Sequence, residues 1–144
     1  MARPDKVYAS YRGIVSAVAI AGQFGAAAAS EDLALVKRDG SGNLVVATQG
    51  DAEGIIWTPE GKASSSVASF LSAAAGAKMT VFTMAQFTDV EGDLGLTAGA
   101  VLWSTAAGDV VFAVPAAPIQ KVGFVMLNDT GVDLRLVMNI SLLD

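Results

Sequence analysis

"VDLRLVMNISL", residues 132–142, decides the fold class. Val132, Leu134, Leu136, Met138, Ile140 and Leu142 fall on one parity, while Asp133, Arg135, Asn139 and Ser141 fall on the other. Side chains alternate faces along a strand, so this period of two with one apolar side predicts a half-buried sheet.

Working outward, "VGFVML" over Val122–Leu127 is a second strand, separated from the first by "NDTG". Val101–Ser104 and Val110–Val114 flank "TAAGD", and Met79–Phe87 precedes them as another apolar run. Leu33–Lys37 and Leu44–Thr48 bracket "RDGSGN", whose Asp-Gly and Gly-Asn pairs suit a hairpin turn because those residues tolerate positive φ. Gly13–Ile20 reads as a β-branched strand and Ile55–Thr58 as a short apolar one ending at Pro59. The first dozen residues, with Pro4 and the bulky Val7, Tyr8 and Tyr11 among small and charged neighbours, read as an extended arm. One segment has helical spacing: over 64–75, Val67, Phe70, Leu71 and Ala74 share a face, Ser64 or Ser65 can cap it, and Gly76 ends it. The expectation is a mainly β, single-domain antiparallel sandwich or barrel-like fold. It carries one short packed α-helix over 64–75, and an N-terminal arm over 1–12 precedes a β-rich domain over 13–144.

The 144 residues are 53% hydrophobic and 16% charged, with a net charge of −5. So much apolar content in a small domain points to subunit interfaces as a second place of burial. The acidic balance, without a Lys/Arg cluster, argues against nucleic acid as a partner. The basic residues Arg3, Lys6 and Arg12 ahead of an apolar run imitate an export signal, but Asp5 and the interrupting Gly13, Gly22 and Gly25 argue against one. The same run is too short and too broken to span a membrane.

Catalytic chemistry has little to work with. The chain has no histidine and no cysteine, which removes the usual activating base, thiol catalysis and thiolate metal sites. Asp89, Glu91 and Asp93 stand at i, i+2, i+4, but the glycine comes too early for a calcium loop and the far glutamate is missing. Lys62 with Ser65, Ser66 and Ser69 is better read as a helix cap and polar face than as a Ser–Lys pair. No catalytic, cofactor-binding or metal-binding residue is expected, and no cofactor. Trp57 and Trp103 could stack on sugar rings, the basis of an alternative reading as a carbohydrate-binding β-sandwich module. An extended terminal segment can instead add to a partner's sheet edge, which makes Val7, Tyr8 and Tyr11 the candidate partner-binding residues.

Residues 95–138, "GLTAGAVLWSTAAGDVVFAVPAAPIQKVGFVMLNDTGVDLRLVM", have a particular order of strand, "AAGD" turn, Pro-bounded loop and returning strands. That order resembles the C-terminal β region of small structural proteins of tailed bacteriophages, above all head decoration (cement) proteins. The resemblance implies a non-enzymatic homotrimer on the outer surface of a capsid, assembled in the host cytoplasm. Its partners would be the major capsid protein and itself, with neither nucleic acid nor membrane. A tail or fibre-associated structural protein is the alternative within the same class.

Overall fold

The computed structural model describes residues 2–17, 20–21, 33–48, 50–57, 60, 72–89, 97–104, 110–111, 120–127 and 134–140. Within them run β1 (Ala2–Ile14), β2 (Ile20–Ala21), β3 (Leu33–Arg38), β4 (Leu44–Val46), β5 (Gly54–Trp57) and β6 (Ser72–Ala73). They are followed by β7 (Lys78–Asp89), β8 (Val101–Ser104), β9 (Val110–Val111), β10 (Gln120–Leu127) and β11 (Leu134–Asn139). The protein is mainly β. Its main sheet, in the order β4-β3-β5-β7-β11-β10-β8-β9 with β1 also on β7, is antiparallel and curls into a half-barrel; β2 and β6 form a separate pair.

The long strand β7 organises the sheet. β1 pairs along one edge from Ala2–Asp89 to Ile14–Lys78. The opposite edge is shared: β5 takes Val81 and Phe82, and β11 takes Met84 to Asp89. The fork lies at Thr83. There the ladder with β1 skips one residue, with Ala9 opposite Met84 but Ser10 opposite Phe82, and the Thr83 carbonyl accepts a hydrogen bond from Ile140 N at 2.8 Å. Such an extra residue is a β-bulge, and it reverses the parity of every side chain beyond it.

Two cores result. Phe82, before the bulge, and Ala85 and Phe87, after it, join Leu33, Leu35, Ile55, Leu102, Val125, Leu136 and Met138 in the first. Met79 and Val81 join Val15, Ile20, Ala34, Val36, Leu44 and Ile56 in the second, on the other side of β3 and β5. A ring of pairings encloses the second core: β1 to β7, β7 to β5, β5 to β3, β3 to β4, and β4 back to Val15 just beyond β1.

The expected hairpin is present. Val36, Lys37 and Arg38 face Val46, Val45 and Leu44. Gly42 supplies φ +82, and the Asp39 carboxylate accepts from Ser41 N and Asn43 N at 2.8 and 2.9 Å. The alternation read in the C-terminal stretch also holds over 134–140, with Leu136, Met138 and Ile140 buried and Asn139 exposed. The expected helix is corrected at its end: Ser72 and Ala73 are extended and pair with Ala21 and Ile20. A short helix depends on packing, and here burial of Ala73 beside Ile20 in the second core favours the strand pair. Gly76, at φ +80, turns the chain into β7. Residues 64–71 lie outside the described residues, among which there is no α-helix. The N-terminal segment, expected as an arm over 1–12, is instead paired along β7 as the sheet strand β1, which ends two residues later, at Ile14.

Gly123 sits at another bulge, where β10 skips Val122 against β8. A Cβ there would run into the Val137 carbonyl oxygen and meet Met138 Sδ at 3.0 Å. Gly123→Ala is therefore expected to cost about 1–3 kcal/mol in denaturant unfolding. Gly40→Ala, where a Cβ meets nothing within 4 Å, should change little. Leu136→Ala should cost about 2–5 kcal/mol, since that side chain is fully buried in the first core.

Candidate interaction surface

Val7 and Tyr8, two of the three expected partner-binding residues, are 48% and 58% exposed. A bulge at Tyr8 separates them: Val7 faces Ala85 at the rim of the first core, while the Tyr8 hydroxyl accepts a hydrogen bond from Gln86 Nε2 at 3.1 Å on the outer face. Tyr11 is not with them. It is half-buried against the second core.

The outer face around Tyr8 carries more apolar surface than the sequence reading identified. On β10, Val125 points into the first core, so Phe124 and Met126 point outward, 46% and 42% exposed. Val101 of β8 and Val137 of β11 flank Phe124 in register, both half-buried. Val137 lies opposite Gln86, and Met84, one step along that face, is 41% exposed. The face therefore runs from Phe124 across Val137 to Met84 and Tyr8. Beside it, β1 pairs with no strand other than β7 among the described residues.

A second feature is a groove of about 570 Å³ at the β3–β4 hairpin, lined by Lys37, Arg38, Asp39, Asp51 and Glu53. Its cations are paired, Lys37 with Asp51 at 2.7 Å and Arg38 with Glu53 at 2.9 Å. Hydrogen bonding from the Arg38 side chain, with a further bond from its backbone N–H, holds the Glu53 carboxyl below its ordinary 4.5 against partial burial. The Tyr11 hydroxyl, by contrast, is raised above 10.0, by burial first and then by the Glu53 charge, with Arg38 opposing. These are structural ion pairs, with no nucleophile set against a base.

The remaining candidates do not converge. Trp57 packs against the first core and Trp103 alternates with the inward Leu102, so the two indoles lie on opposite faces and form no common platform. Asp89 ends β7, while Glu91 and Asp93 lie outside the described residues, as do Lys62, Ser65, Ser66 and Ser69. Among the described residues no group of three or more acidic side chains could hold a metal ion, and no helix is long and apolar enough to cross a membrane. No protein-family model matches the chain, and no curated protein or solved structure is significantly similar to it.

The Tyr11 hydroxyl is buried without a hydrogen-bond partner. Tyr11→Phe is thus expected to leave thermal stability unchanged or raise it slightly, whereas Tyr11→Ala should lower it by about 3 kcal/mol. Because the Glu53 pKa is depressed on folding, its contribution to stability is present above about pH 4.5 and is lost as pH falls through the folded-state value. Denaturation measured from pH 6 to 3 should show a shallower loss for Glu53→Gln than for the parent chain.

Proposed function

We propose that this chain is a structural virion protein. It is a head decoration protein that binds the outside of a tailed-phage capsid as a trimer and acts by binding alone. The observation that carries this reading is the exposed apolar face of Phe124, Met126, Met84 and Tyr8. The order of parts over 95–138, which resembles decoration proteins, and the absence of histidine and cysteine from the sequence agree with it.

The mechanism follows from the surface. Apolar side chains on a sheet release water when covered, contributing about 25 cal/mol per Å² of area buried. Three linked copies bind three sites at once, so each modest footprint is multiplied by a high effective concentration. Val7 and Tyr8 on β1 are the side chains offered to the capsid protein. Bridging neighbouring capsid subunits in this way stabilises the shell without chemistry.

Gold-labelled antibody against the chain, applied to the phage particles that carry it, should decorate the head surface. Label confined to the tail would overturn the capsid reading in favour of a fibre-associated protein. Phe124→Ser with Met126→Ser should weaken sedimentation of the chain with its capsids at least tenfold while leaving its melting temperature nearly unchanged, because both side chains face solvent.

A further inference from the structure

We infer that Gln120 is a latch with two seats, bonded to Ala52 when the half-barrel is closed and to Ser104 when its two branches part. Among the described residues, strand pairing connects the β5-β3-β4 branch to the β11-β10-β8-β9 branch only through β7. Across the first core from β7, a side chain completes the circuit. Gln120 Nε2 donates to the Ala52 carbonyl, and Ala52 N donates to Gln120 Oε1, both at 2.8 Å. One side-chain amide, with donor and acceptor both engaged, thus pairs with the main chain as a neighbouring strand would. The residues on either side of Ala52 fix it to the hairpin branch. Lys37 pairs with Asp51 at 2.7 Å, Arg38 with Glu53 at 2.9 Å, and Glu53 N donates to the Val36 carbonyl at 2.8 Å.

The second seat is Ser104. It stands directly opposite Gln120 in the register of β8 and β10 and, two places from the inward Leu102, lies on the same side of the sheet. Such partners hold their Cβ atoms about 4.5–5.5 Å apart. Ser104 is fully buried, yet its hydroxyl has no hydrogen-bond partner while the Gln120 amide is committed to Ala52. A buried hydroxyl without a partner raises the free energy of the closed form, and moving the amide onto it recovers that cost when Ala52 is released. The outer face with Phe124 and Met126 belongs to the branch that moves, so a partner that fits one position of the branch selects it. The inference concerns the chain alone and stands whether or not its partner is a capsid.

Amide hydrogen exchange followed by NMR reads the latch at Ala52 itself. Gln120→Met keeps the length of the side chain and removes the amide. It should speed exchange at Ala52 at least tenfold relative to Phe87, deep in the first core. Ser104→Ala loses only the orphaned hydroxyl and keeps the first seat, so it should slow Ala52 exchange severalfold on the same scale. Spin labels on Gly40→Cys and Lys121→Cys, in a chain with no cysteine of its own, should move apart when Gln120→Met is added. Ala52 exchange that is no faster without the amide overturns the latch. An unchanged ratio of Ala52 to Phe87 exchange in Ser104→Ala overturns the second seat, and an unchanged label separation in folded Gln120→Met overturns the parting of the branches.

Discussion

The fold depends on one extra residue being bulged out of β7. In an unbroken strand, Phe82 and Phe87 would point to opposite faces, because their separation is odd. The bulge at Thr83 puts both on the same face, where their rings meet edge to face with centroids 5.3 Å apart and planes at 87°. Such a pair adds about 0.5–1.5 kcal/mol beyond the area it buries. Its larger consequence is topological. The sheet forks at the bulge, yet both branches, β5-β3-β4 and β11-β10-β8-β9, deliver apolar side chains to one core.

The same residue divides β7 into two parts with different surroundings. Before it, β7 belongs to the ring of strand pairings around the second core, tied by the bonds from Arg12 and by Val15 against Leu44. After it, β7 has the first core on one side and the outer face of Met84, Gln86 and Tyr8 on the other. The most exposed apolar side chains of that face, Phe124, Met126 and Met84, with Tyr8 beside them, therefore sit together on the same branch.

What the sequence made legible follows from this geometry. The C-terminal strand could be read because every second residue from Leu134 to Ile140 is apolar, with Val137 the one apolar residue on the other parity. The hairpin could be read because Asp39 and Gly42 supply turn chemistry within six residues. The outer face could not. "KVGFVML" is apolar almost throughout, and the bulge at Val122 hides which members point outward, so Phe124 and Met126 were indistinguishable from core. "KMTVFTMAQFTD" hides its fork in the same way, since Val81, Phe82, Met84 and Ala85 follow no single period. The end of the expected helix was misread because tertiary burial of Ala73 outweighed a weak local preference. Tyr11 looked like Tyr8 in sequence, and only the packing of the second core separates an anchor from an exposed contact.

Deleting Thr83 tests this account most directly, because it removes the bulge while taking away a side chain that makes one 3.4 Å hydrogen bond to the Ala9 carbonyl. Circular dichroism and denaturant unfolding should show both Thr83→Ala and the Thr83 deletion folded, because without the extra residue Phe82 and Phe87 are an even four positions apart and stay on one face of a regular strand. Deletion of Gln86 instead turns Phe87 to the face opposite Phe82 and should abolish cooperative unfolding. A Thr83 deletion variant that cannot fold, or a Gln86 deletion variant that unfolds cooperatively at the parent midpoint, would contradict the account.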